Sequence, residues 1–176
     1  MTGCSKFTSS SSNSPWRRFW IEFCMILLFL LEFITNVLRH VGLGRRKCLA
    51  DRDLHNTISI VTGANSGIGK QTAYELAIRG SLVIMACRSV VSGEKTKFEF
   101  INRNTKLKLI VMKLDLSSFE SVNEFADSFK KQWKQLDLLI NNAGVMACSK
   151  LNLSQDGHEL QFAVNHLGKF VFFFFL

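Results

Sequence analysis

The sequence predicts an α/β fold, the N-terminal part of a doubly wound parallel sheet, preceded by an apolar helix of membrane-anchor type. Three observations carry this reading. Short runs of β-type residues alternate with amphipathic stretches from Thr57 onward. A glycine-rich loop, TGANSGIGK, joins the first run to the stretch after it. A long apolar segment lies ahead of both. Strands buried on both faces read as continuous apolar runs, and in alternation with helices they build a parallel sheet covered by helices.

Residues 1–15 are rich in serine and end at Pro15, the single proline, which reads as a disordered tail. Residues 16–40, WRRFWIEFCMILLFLLEFITNVLRH, supply the anchor helix. A spanning helix needs about 20 mostly apolar residues. Phe19 to Leu38 reaches that length only by including Glu22 and Glu32. A carboxylate at mid-bilayer costs roughly 2.5–3.5 kcal/mol on insertion scales. Glu22 is near enough to one end to reach the headgroups; Glu32 is harder to place. A spanning helix is the preferred reading, with a helix lying in the membrane plane as its rival.

Residues 41–55 read as a basic linker. Arg17, Arg18, Arg39, Arg45, Arg46 and Lys47 all flank the apolar segment. The net charge of +8 therefore points to a membrane boundary. Nucleic acid is the weaker reading, because no RNA-binding signature or basic helix interleaved with aromatics is present. The slightly heavier charge on the C-terminal flank favours a domain facing the cytosol. The five cysteines, Cys4, Cys24, Cys48, Cys87 and Cys148, lie far apart and show no zinc-type spacing. They read as reduced thiols, and no metal site is expected.

The strands predicted are TISIVT (Thr57–Thr62), SLVIMA (Ser81–Ala86), LKLIVM (Leu107–Met112) and LDLLIN (Leu136–Asn141). The clearest helix is Ser118–Trp133, where Phe119, Val122, Phe125, Ala126, Phe129 and Trp133 share one face. Ser117 followed by Glu120 reads as its capping box.

Gly63, Gly67 and Gly69 follow the first strand and open the first helix of the domain. Such glycines permit the sharp turn, let the backbone approach a pyrophosphate, and allow close helix–strand packing. The helix N-terminus offers free N–H groups to the phosphates. At the end of the second strand an acid would bind the ribose 2′-hydroxyl of NAD, whereas arginine would pair with the 2′-phosphate of NADP. The sequence there is MACRS, so Arg88 favours NADP(H) over NAD(H), against the plainer alternative of a solvated surface arginine.

TGANSGIG, ACR, the LDL that contains Asp115, NNAG (Asn141–Gly144) and FAVNHLG (Phe162–Gly168) occur in that order. Together they resemble the short-chain dehydrogenase/reductase family, most closely its retinol dehydrogenase-like members, over about Asn56 to Phe170. The resemblance implies a Rossmann-like dinucleotide-binding domain over residues 56–170. Its cofactor residues would be Thr62, Gly63, Asn65, Ser66, Gly67, Ile68, Gly69, Arg88, Asp115, Leu116, Asn141, Asn142, Ala143 and Gly144. Asp115 would hydrogen-bond the adenine, and residues 141–144 would line the ribose and nicotinamide side. Asn165 is the family catalytic position present in this sequence, and would help hold a proton-relay water. The resemblance also implies hydride transfer on a lipophilic alcohol or carbonyl substrate, at the endoplasmic reticulum membrane.

The family's proton-handling pair, Tyr-x-x-x-Lys, and its serine do not occur where the motifs would lead. The single tyrosine is Tyr74, in the first helix of the domain, with Ile78 four residues on. NHLGKF (165–170) resembles the next family helix, whereas VFFFFL (171–176) is expected to depart from the fold as an aberrant apolar tail. A sheet ending at the fourth strand would expose an apolar edge, and stable folding of the chain alone is not expected. A truncated gene model, splice form or pseudogene product fits those features. Two functions stay open: the NADP(H)-binding portion of a membrane-anchored oxidoreductase, or a catalytically inactive membrane-bound module that binds a nucleotide or a partner. Asn152-Leu153-Ser154 is a glycosylation sequon that would be used only if the domain faced the lumen.

Overall fold

The computed structural model describes residues 15–40, 52–146 and 150–176. The serine-rich residues 1–14, the linker residues 41–51, and residues 147–149, with Cys4, Cys48 and Cys148, lie outside the described residues. The chain divides into two units, Met1–Asp51 and Arg52–Leu176.

The described residues of the first unit form a helix, α1 (Pro15–His40). Its stretch Phe19–Leu38 has a mean hydropathy of 2.1, and none of that stretch is buried within the molecule. By length and composition α1 can cross a bilayer.

In the second unit, strands β1 (Ile58–Thr62), β2 (Leu82–Cys87), β3 (Leu109–Lys113) and β4 (Leu138–Ile140) alternate with helices α2 (Gly67–Ile78), α3 (Val90–Arg103) and α4 (Phe119–Gln132). The helical segment after β4 comprises α5 (Leu160–Phe162), a wide π-type turn over Ala163–Leu167, and α6 (Gly168–Phe175). The sheet order is β3-β2-β1-β4, and every pairing is parallel. This is a Rossmann-like arrangement, as the alternation of elements predicts.

Alternate residues of each strand enter opposite cores. Ile60, Ile84 and Ala86 pack with Val122, Phe125 and Phe129 of α4 and Phe172 of α6. Val61, Val83, Met85 and Cys87 pack with Ala73 and Ala77 of α2 and Phe100 of α3. Both faces of the central strands are thus covered, which explains their continuous apolar runs. Strand ends differ from the predicted ones by a residue or two, because ladder hydrogen bonds set them rather than hydropathy.

Two sequence expectations are corrected. The N-cap of α4 is Ser118, whose Oγ accepts from Ser121 N at 3.3 Å. Ser117 is occupied elsewhere: its N–H and Oγ both donate to Asp115 Oδ1, at 2.9 and 2.6 Å. The run VFFFFL does not break from the fold, since Val171–Phe175 forms most of α6. Phe172 is fully buried and meets Phe125 edge-on, with centroids 5.2 Å apart. Helical spacing divides the run. Val171 and Leu176 also pack on this core, whereas Phe173 and Phe174 face outward.

Candidate functional site

The carboxyl ends of the strands surround a cavity of about 360 Å³. In an open parallel sheet this edge, where strand order reverses between β1 and β4, is where ligands enter.

Thr62 closes β1, and its side chain ties β1 to β4. Its Oγ1 donates to Ile140 O at 3.3 Å and accepts from Ala143 N at 2.9 Å. Asn142 Nδ2 returns a bond to Thr62 O at 3.0 Å. These contacts bring the 142–144 loop against the glycine turn. Gly63 has φ +67°, and a Cβ there would lie 3.1 Å from Ala143 Cα. A Cβ on Gly69 would come within 2.4 Å of both Gly63 O and Asn142 Nδ2. The closeness of these two loops therefore requires glycine at both positions. Gly67 differs: nothing crowds it, and its φ of +54° is what favours glycine.

Ser66 is the N-cap of α2, yet its side chain caps none of the helix N–H groups. Free amides at a helix N-terminus beside a cavity suit an anion. The preceding residue is held from both sides. Asn65 Nδ2 donates to Ser92 Oγ at 3.1 Å, and Asn65 O accepts from Thr96 Oγ1 at 3.1 Å. Beneath this turn, burial pushes the Cys87 thiol up to about 11, against the opposing pull of the Ala64 and Asn65 backbone N–H groups. That thiol stays protonated at neutral pH, in line with a structural role.

Arg88 follows β2, is exposed, and lines the cavity. Among the described residues it forms no ion pair. On the β3 side, Asp115 is fixed by its two bonds from Ser117 and by its own N–H, which donates to Ser121 Oγ at 3.0 Å. On the β4 side, Asn165 sits in the π-type turn and grips the backbone of Val145. Its Oδ1 accepts from Val145 N at 2.8 Å, and its Nδ2 donates to Val145 O at 2.7 Å. One turn along, Gly168 lies against Leu116, and an added Cβ would come within 2.1 Å of Leu116 O.

Of the residues singled out by sequence, Thr62, Gly63, Asn65, Ser66, Arg88, Asp115, Leu116, Asn142, Ala143 and Gly144 line the cavity. Gly67, Ile68, Gly69, Asn141 and Asn165 do not. Gly69 is buried behind the turn, Ile68 and Asn141 are exposed, and Asn165 acts on the wall through Val145. Ala86, Ser89, Leu114, Val145 and Val164 complete the lining and were not anticipated. Ala86, Leu114 and Val164 belong to the motifs ACR, LDL and FAVNHLG, and Ser89 and Val145 directly follow ACR and NNAG; nothing local to the sequence tells which of these residues face inward.

Tyr74 is remote from this chemistry; its ring packs against Phe100, with centroids 5.0 Å apart. Among the described residues no cluster of His, Cys, Asp and Glu could hold a metal ion.

Residues 57–173 match the family model described as short chain dehydrogenase. The chain is 46% identical over 153 residues to retinol dehydrogenase 12 of Bos taurus, covering 84% of this chain and 48% of that protein. It is 42% identical over 147 residues to retinol dehydrogenase 11 of Homo sapiens, covering 84% of this chain and 46% of that protein. The chain thus spans about half the length of the curated relatives it matches. Among solved structures, the Pseudomonas aeruginosa RhlG/NADP active-site complex aligns with a TM-score of 0.59 at 25% identity, covering 70% of this chain and 48% of that one. A family model that takes in nearly all of the α/β unit, from β1 to α6, leaves one conclusion: the chain belongs to the short chain dehydrogenase family.

Proposed function

We propose that this chain is the NADP(H)-binding portion of a membrane-anchored oxidoreductase of the retinol dehydrogenase type. The observation that carries the reading is the cavity at the strand ends. It combines an uncapped α2 N-terminus with Arg88 beyond β2 and Asp115 beyond β3. Thr62, Gly63, Asn65 and Ser66 form the phosphate side of the site, with Gly67, Ile68 and Gly69 shaping the turn behind them. Arg88 pairs with the 2′-phosphate, and Asp115 and Leu116 bound the adenine side. Asn141 to Gly144 bound the ribose and nicotinamide side. Bound there, the nicotinamide supplies or takes up the hydride. Asn165 holds the wall at Val145, and is the one residue of the family's catalytic set within this sequence.

The substrate is a lipophilic alcohol or carbonyl compound. This follows from the likeness to retinol dehydrogenases together with the apolar, exposed α1. In this reading α1 spans the endoplasmic reticulum membrane and the α/β unit faces the cytosol. The exposed Asn152 sequon supplies the test of orientation, because a glycan on it would put the unit in the lumen.

A second reading is a catalytically inactive, membrane-bound module that binds nucleotide or a partner. One observation bears on it: Tyr74, the single tyrosine of this sequence, packs against Phe100 and does not line the cavity.

Two measurements test these readings. Titration of the purified chain with NADPH and NADH, followed calorimetrically, should show saturable binding with NADPH the tighter ligand. No binding of either would end both cofactor readings. Turnover separates them: reduction of all-trans-retinal by this chain alone would overturn the inactive module.

A further inference from the structure

We propose that Thr96 is a positioning residue that sets the spacing between the glycine turn and Arg88, and through that spacing the preference for NADPH over NADH. The inference rests on the NADP(H) reading given above. Ser92, Thr96 and Glu99 recur at intervals of four and three along α3, so they share one face of that helix. All three reach across to the turn or to the start of α2. Ser92 Oγ accepts from Asn65 Nδ2 at 3.1 Å, and Thr96 Oγ1 donates to Asn65 O at 3.1 Å. Glu99 Oε2 pairs with Lys70 Nζ at 2.6 Å.

Thr96 is the buried member of the three, with 4% of its surface exposed. A threonine inside a helix ordinarily turns its hydroxyl back to a carbonyl three or four residues earlier. Thr96 has one O–H to give, and it goes instead to Asn65, 31 residues away in sequence. The bond therefore holds the main chain of the turn itself. The next residue along that main chain is Ser66, the N-cap of α2.

The same helix carries Arg88. Ser89 caps α3 by accepting from Ser92 N at 3.3 Å, which places Arg88 immediately ahead of the helix. The helix also lies close on β2 and β3, since a Cβ on Gly93 would come within 2.6 Å of Val111 Cγ1 and 3.3 Å of Cys87 Sγ. The glycine turn and Arg88 are thus mounted on one element. In the NADP(H) reading the pyrophosphate meets the turn and the 2′-phosphate meets Arg88, and NADH lacks the second group. A ligand that must engage two anchors at once depends on their spacing, and anchors held ready spare it the cost of ordering them.

The test is calorimetric titration of the full chain in detergent with NADPH and with NADH, alongside thermal midpoints for each variant. Thr96→Val keeps the shape of the side chain and removes the hydroxyl. It should weaken NADPH by roughly 3- to 10-fold, the range for one hydrogen bond, and NADH by less than about twofold. Thr96→Ser, which retains the hydroxyl, should keep the parent preference. With Arg88→Met already in place, Thr96→Val should weaken both ligands alike, because the two positions act through one spacing. Equal loss of NADPH and NADH on Thr96→Val in the otherwise unchanged chain, or no loss of either, would overturn the inference. If Thr96→Val does not fold, Ser92→Ala, at a half-buried position, removes the other bond to Asn65. The same selective loss is then expected, and equal loss or none overturns the inference again. A parent chain that binds neither dinucleotide, or does not prefer NADPH, ends the NADP(H) reading and this inference with it. A parent that prefers NADPH, with variants that keep that preference, sinks the role of Thr96 alone.

Discussion

Replacing Phe172 by alanine empties a site that has no exposed surface, where α6 meets the sheet and α4. Phe→Ala changes in closed cores cost about 3–5 kcal/mol, through lost transfer energy and the cavity left behind. The upper part of that range is expected, because the ring also stands edge-on to Phe125 at 5.2 Å, a contact worth roughly 0.5–1.5 kcal/mol beyond area burial. Trp133 is a natural reporter: it is half-buried, with its ring centroid 5.4 Å from that of Phe129. With Trp16→Phe and Trp20→Phe removing the other two indoles, its fluorescence in detergent can follow urea unfolding. At a slope of about 2 kcal/mol per molar urea, Phe172→Ala should lower the midpoint by roughly 2–2.5 M. Phe174→Ala, two residues on and 76% exposed, should stay within about 0.5 kcal/mol of the parent. Equal shifts for the two variants, or none for either, would refute the inward placement of Phe172 and with it the account of α6.

Gly69→Ala should weaken NADPH binding by more than about tenfold, because the new Cβ strikes the Gly63 carbonyl and forces the turn off Asn142; strain of this kind costs roughly 1–3 kcal/mol, and calorimetry would read it. Arg88→Glu should weaken NADPH roughly 10- to 100-fold, the range for a charge-assisted bond, while leaving NADH nearly unchanged; equal loss of both ligands would assign Arg88 to general electrostatics instead. Stability should fall on acidification through and below the ordinary carboxylate range. The Ile58 N–H holds Asp137 below its usual value, and the Gln161 and Phe162 N–H groups do the same for Glu159. A depressed folded-state value means the stabilisation is present at neutral pH and lost as the carboxyl takes up its proton. Thermal midpoints measured against pH should therefore drop less on the acid side for an Asp137→Asn, Glu159→Gln double variant.

The sheet was legible because its strands are buried on both faces, which leaves runs such as SIVT and LVIMA unmistakable even where their ends shift. The glycine turn was legible for a related reason: Gly63 and Gly69 stand where a side chain would strike the neighbouring loop. Other features depend on competition that a linear reading cannot weigh. Ser117 and Ser118 are equally good caps on paper, and the choice falls to Ser118 because Asp115 has already taken Ser117. VFFFFL reads as uniformly apolar, and only the helix period separates Phe172 from Phe173 and Phe174. Asn165 was found through its motif, but its grip on Val145, twenty residues away in sequence, is a tertiary fact. The inward faces of Leu114 and Val164 belong to the same class.

The helical segment after β4 holds two points of the cavity wall at once. Asn165 clasps Val145 on the β4 side, and Gly168 rests on the Leu116 carbonyl on the β3 side. The two lips of the cleft are therefore fastened to one rod, with fastenings three residues apart. A displacement of that rod would bear on both lips at once. A side chain added at Gly168 would strike the carbonyl of Leu116, itself part of the cavity lining, and so bear on the cleft from a position that lines none of it.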